Sequence, residues 1–232
     1  MSSKSQDELV TEVRDRLDEA TATFWSDVQL RKWINEACRD VSRRTETLLS
    51  TDDVTVTAGT QQYSGPADTV RVSRAEWRPT DQVTIYPLEY KDYNGMDAIW
   101  WTSQAVSSGY PSFFTMWGFP PSLTLVLYPV PSTGGVCRLF YYRLAAELST
   151  DGTQGSVPVE VLAGWEDLIV DYAEFIALRK DGDQRWQEAK QIYEERLRDL
   201  FENSRRWADA AGSLEWATQS VPAWLYGWEG GN

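Results

Sequence analysis

The chain has 232 residues, 42% hydrophobic and 25% charged, an ordinary globular composition with room for one large domain or two small ones. Its 35 acidic and 22 basic residues leave a formal charge of −13. That balance argues against a surface that grips a phosphate backbone; it suits one past which DNA slides without sticking, and equally a plainly soluble one. Histidine is absent, which removes imidazole bases, Ser-His and Cys-His pairs and the usual zinc and iron sites, so any catalysis would rest on carboxylates, lysine or tyrosine.

No run of about 18 apolar residues occurs, so no membrane helix and no membrane partner are expected. Met1 to Val13 lacks the apolar core of a signal peptide, which makes a cytoplasm the expected place of synthesis. Cys38 and Cys137 fall in different predicted elements amid apolar neighbours and read as free buried thiols.

In chain order, Ser5 to Glu8 forms a capping box, and Leu9, Val13, Leu17 and Ala20 mark a first helical stripe that Thr21–Thr23 breaks. Ser26 to Gln29 is a second capping box, with Trp25 before it and Leu30 placed to meet that ring as a hydrophobic staple. Leu30, Trp33, Ile34, Ala37, Val41 and Leu48 give this helix its apolar face. Lys32, Glu36, Arg39 and Arg43 share the opposite face, which reads as a solvated surface or as a charged contact to a neighbouring subunit.

From Ser50 the period changes. Val54–Thr57 alternates and turns at Ala58-Gly59-Thr60. Thr69 to Trp77 alternates with a one-residue slip that predicts a bulge, and Val83–Tyr86 resumes after a turn. Pro87 to Pro111 reads as a short helix near Glu89 to Asn94 followed by a long loop. Ser112–Trp117, Leu123–Tyr128 and Val136–Arg143 complete a set of about six strands, the signature of a small antiparallel sandwich or barrel. A polar linker, Ala145 to Ser156, leads back to helices.

Trp165, Leu168, Ile169, Tyr172, Phe175 and Ile176 define a third helix face, and Trp186, Ala189, Ile192, Tyr193, Leu197, Leu200 and Phe201 a fourth. Asp181-Gly182-Asp183 joins them, the glycine ending one helix and Asp183 capping the next, so the pair should form an antiparallel hairpin. The expected fold is therefore α+β: a four-helix bundle interrupted by an inserted antiparallel β-domain, with an extended C-terminal tail. The segments are residues 1–50 and 149–206 for the two halves of the bundle, 51–148 for the β-domain and 207–232 for the tail. Trp216, Trp224, Leu225, Tyr226 and Trp228 make that tail too aromatic for a plain disordered segment and suited to docking.

No phosphate loop, metal-ligand spacing or nucleophile elbow is present, and no cofactor or metal is expected. Glu166, Asp167, Asp171 and Glu174 cluster on the third helix, but acids on the outer face of an amphipathic helix read as solvated, and those near its start favour the dipole. Trp100, Trp101, Tyr110, Trp117 and Tyr128 could alternatively stack on sugars, making the β-domain a glycan- or receptor-binding module, although aromatics more often serve a core or an interface.

The stretches FWSDVQLRKWINEACRDVSRRTE, VTAGTQQYSGPAD, VRVSRAEWRP, YPLEYKDYNGMDAIW, FFTMWG, LTLVLYPVP, LFYYRL and GWEDLIVDYAEFIALRKDGDQRWQEAKQIYEERL together resemble tailed-phage adaptor proteins, the head-to-tail connector (head completion) proteins. The resemblance runs from Phe24 to Leu200, and it rests on the order of the motifs. It implies a structural virion protein without enzymatic activity. Such a protein forms a homo-oligomeric ring, dodecameric, under the portal after genome packaging. It would extend the channel that double-stranded DNA crosses without sequence recognition, and offer a platform for the next tail component, a nozzle or stopper. By the same resemblance Trp207, Trp216, Pro222, Trp224, Leu225, Tyr226 and Trp228 are candidate portal contacts. Lys32, Arg39, Arg43, Glu166, Asp167, Asp171 and Glu174 are candidates for the wall between subunits.

Overall fold

The computed structural model describes residues 3–19, 24–80, 83–92 and 108–210. Both capping boxes form. Ser5 Oγ accepts from the Glu8 amide at 3.3 Å while Glu8 accepts from the Ser5 amide at 2.7 Å, opening α1 (Gln6–Arg16). Ser26 and Gln29 exchange the same pair of bonds at 3.3 and 3.1 Å and open α2 (Asp27–Thr45). Each box satisfies amides that a helix start would leave unpaired.

Among the described residues nine strands follow: β1 (Leu49–Val56), β2 (Gln62–Ser64), β3 (Thr69–Pro79), β4 (Tyr86–Tyr90), β5 (Ser108–Gly109), β6 (Phe113–Trp117), β7 (Thr124–Tyr128), β8 (Val130–Pro131) and β9 (Gly135–Arg143). The chain then forms α3 (Asp167–Asp181) and α4 (Trp186–Ala210). Gly182 sits at φ +79° and closes α3 in the left-handed region. Asp183 accepts from the Arg185 amide at 2.9 Å at the start of α4.

The architecture departs from the expected four-helix bundle with a small antiparallel insertion. Seven strands form a single sheet in the order β1-β9-β3-β4-β6-β7-β2. It folds over itself until the edge strands β1 and β2 approach, a nearly closed sheet. Its inner face buries Val56, Ala75, Trp77, Phe114, Leu125, Leu127, Cys137 and Leu139 as a core of its own. Nor is the pairing purely antiparallel, since β4 lies parallel to β6 and β5 parallel to β8. Among the described residues the molecule is thus a large curved sheet with four helices beside it.

The physical reason for the difference is range. Glu89 and Tyr90, expected to begin a short helix, pair instead with Phe113 and Phe114, and that ladder overrides local preference. Val83 to Ile85, expected in a strand, precede the strand that starts at Tyr86. The bulge in β3 is present as register shifts between Thr69 and Arg71 and between Val72 and Arg74.

The helices share a second core of Leu9, Val13, Leu30, Ile34, Val41, Leu168, Ile169, Tyr193, Leu197 and Leu200. Ile192, read as part of that face, is 41% exposed. Polar ties join this core to the sheet. Arg71 on β3 donates to Glu46 just past α2, Arg143 at the end of β9 donates to Glu160 at 2.7 and 2.8 Å, and Ser42 Oγ accepts from the Ala145 amide at 3.0 Å.

Candidate assembly surfaces

The carboxylate cluster on α3 is not a solvated row. The Asp171 side chain is 2% exposed and accepts from Arg16 Nη1 at 2.5 Å and from Arg196 Nη1 at 2.7 Å. Arg16 also reaches Glu174 at 3.2 Å. Glu166 is buried, and its carboxylate accepts from the Gly164 amide at 2.8 Å. Asp167 stays open at 62% and meets Lys4 at 3.4 Å. The helix period places these acids on one side, but it cannot show that α1 crosses that side and brings Arg16 from 155 residues away.

On α2, Lys32, Arg39 and Arg43 are exposed. Arg39 pairs with Glu147 at 3.4 Å and Arg43 with Asp40 at 2.6 Å. Asp40 turns inward as well, accepting from the Tyr193 hydroxyl at 2.7 Å. Burial raises the Tyr193 phenol above its usual value, and the neighbouring Asp40 carboxylate adds to the shift, so this hydroxyl serves as a donor within the core. Burial likewise pushes the Cys38 and Cys137 thiols up to about 12, and both are free. They pack as small apolar side chains and are not nucleophiles at neutral pH.

The aromatic residues of the sheet do not gather into one sugar-stacking platform among the described residues. Tyr128 is buried, and Tyr110 stacks on Tyr86 with centroids 5.7 Å apart. Trp117 remains 56% exposed at the end of β6, next to Phe119 at 87%. Nothing in the sequence pattern singles out Phe119, which stands between Gly118 and Pro120. Nor does that pattern mark an open cleft of about 400 Å³ between the start of α2 and the α3–α4 turn, lined by Leu17, Phe24, Trp25, Leu178 and Arg185. Trp100 and Trp101 lie outside the described residues, as do Trp216, Pro222, Trp224, Leu225, Tyr226 and Trp228. Trp207 is within α4, which runs past the expected boundary to Ala210.

The chain belongs to the SU10 adaptor protein family, a family of phage head–tail adaptors, whose model matches residues 5–224. No curated protein matches it. Membership makes it a structural component of the virion that contacts other virion parts. The match extends beyond Phe24–Leu200 at both ends, so Trp207, Trp216, Pro222 and Trp224 lie within the family's span and Leu225, Tyr226 and Trp228 beyond it. No helix among the described residues is long and apolar enough to cross a membrane.

Proposed function

We propose that this adaptor assembles as a homo-oligomeric, dodecameric ring beneath the portal, lengthens the channel through which DNA passes, and presents a platform to the next tail component. It joins the virion after packaging in the host cytoplasm, and it remains at the head–tail junction through genome ejection. The observation that carries this reading is the family match across residues 5–224. The net charge of −13 supports it, because an acidic channel wall does not hold DNA.

Residues 1–50 and 149–206 act as one helical unit, 51–148 as the β-unit, and 207–232 as the portal-docking segment. In that segment Trp207, Trp216, Pro222, Trp224, Leu225, Tyr226 and Trp228 supply aromatic and apolar anchors, the residue types that dominate binding energy at interfaces. The exposed charges of the helices, among them Lys32, Arg39, Arg43 and Asp167, belong to the walls between subunits. The test is electron microscopy of the full chain mixed with its purified portal: a ring of the portal's symmetry is expected, and no association refutes the reading. Removing the residues after Trp207 should abolish portal binding and leave a folded protein. Unchanged binding would refute the role of the tail.

A further inference from the structure

The alternation that sends Ala75, Trp77, Cys137 and Leu139 into the sheet core turns their neighbours outward. Across the register, one outward row is Leu49–Tyr142–Arg71, the next Thr51–Phe140–Arg74, and the third Asp53–Arg138–Glu76. Phe140 and Tyr142 belong to neither apolar core. The Arg74 guanidinium lies over the Phe140 ring at 4.3 Å and that of Arg71 over Tyr142 at 5.0 Å. Leu49 is 59% exposed, and Arg78 extends the charged end of the face. Four arginines (71, 74, 78 and 138) here meet three carboxylates, Asp53, Glu76 and Glu46. Three of the four are paired with those carboxylates, so around its apolar centre the face keeps an excess of one arginine, on a chain of net charge −13.

The complementary surface is on α4. Ala189, Tyr193, Leu197 and Leu200 turn into the helical core, so the other side of the helix faces out. There Glu188, Ile192, Glu195, Asp199 and Glu202 recur at intervals of four and three, a single stripe, and all five are exposed. Arg198 lies beside them, and the exposed Arg206 follows Glu202 one turn on. The nearby Arg44 and Arg196 are taken by Glu194 and Asp171. Ile192 supplies an apolar centre flanked by carboxylates, the inverse of the sheet's apolar centre flanked by guanidiniums.

We infer that the outer face of β1, β9 and β3 docks on the Glu188–Glu202 stripe of α4 in a second copy of this chain. The two surfaces differ, so the contact is head-to-tail, the kind that closes into a ring when the rotation fits. The inference rests on the ring reading above and names the surfaces that would build it. Charge pairing of this kind sets register and partner choice, and it weakens as salt screens it.

The test uses full-length chains and purified portal, with ring occupancy counted by electron microscopy. One variant carries Arg74→Glu, Arg78→Glu and Arg138→Glu; the other carries Glu188→Lys, Glu195→Lys and Asp199→Lys. All six positions are exposed, and circular dichroism checks that each variant folds. Each variant alone should need a protein concentration higher by about tenfold or more to form the ring, since like charges then face each other across the contact. An equimolar mixture should recover assembly, because in alternating order each junction joins either reversed face to reversed stripe or native face to native stripe. If the unaltered chain forms no ring on the portal, the ring reading fails and this inference falls with it. If that chain forms rings and both variants do so equally well, the ring stands and this contact is refuted. Failure of the mixture to recover also refutes the pairing.

Discussion

Removing the carboxylate of Asp171 tests how α1 is held to the helical core. Asp171 is 2% exposed and accepts from two guanidiniums at 2.5 and 2.7 Å. Breaking a fully buried pair costs about 3–5 kcal/mol, because the surviving charge is left without water. Here the survivors are Arg16 and Arg196, with side chains 36% and 44% exposed, so both can turn to solvent. What Asp171→Ala loses is a pair of charge-assisted hydrogen bonds, partly offset by no longer burying a carboxylate. The net loss should be about 2 kcal/mol. For a chain of this size that lowers Tm by about 4–8 °C. Urea unfolding followed by circular dichroism at 222 nm reports the helices that carry the pair. Adding Arg16→Met to Asp171→Ala should cost little beyond the partly exposed Arg16–Glu174 pair, since the interaction with Asp171 is already gone. A loss below about 0.5 kcal/mol, the scale of an ordinary surface change, would refute the reasoning and leave α1 held by its apolar side chains, such as Leu9, Val10 and Val13, and by its other polar contacts.

Other perturbations separate the two cores. A Cβ on Gly135 would sit 2.4 Å from the Arg78 carbonyl oxygen and 2.5 Å from the Trp77 ring, so Gly135→Ala should destabilise the sheet by about 2 kcal/mol or more; equal stability in denaturant would refute that packing. Trp77 is fully buried, and Trp77→Ala should cost about 3–5 kcal/mol, read as loss of near-ultraviolet dichroism. Ser26→Ala removes the α2 cap and should cost about 1 kcal/mol, whereas Ser26→Asp should restore most of it. On acidification, the Arg143 hydrogen bond holds the Glu160 carboxyl below its usual range, and hydrogen bonds from Ser149 and Thr153 hold Asp151 down to about 2. Folded values below the unfolded ones give stability that is complete above about pH 5 and lost as pH falls through the folded values. In alkali the sign reverses for Tyr193: its raised phenol stays protonated in the folded chain, so stability should fall as pH rises past about 10. A pH titration of the urea midpoint checks both arms, and a flat profile would refute them.

The capping boxes at Ser5 and Ser26, the turn at Gly182 and the bulge in β3 were legible in the sequence because each is a bargain between residues a few positions apart. The helix stripes were legible for the same reason: a period of 3.6 marks a face that must be buried, even when it does not say against what. Family membership was also within reach, since the ordered motifs from Phe24 to Leu200 fall inside the matched span of 5–224. Tertiary structure alone decided what covers each face. It made Asp171 a buried partner of Arg16 instead of an outer acid, left Ile192 exposed, drew Glu89 and Tyr90 into a parallel ladder with Phe113 and Phe114, and curled seven strands into one sheet where a small insertion was expected. These outcomes depend on residues far apart in the chain, whose meeting is fixed by the packing of whole elements and leaves no local pattern to read.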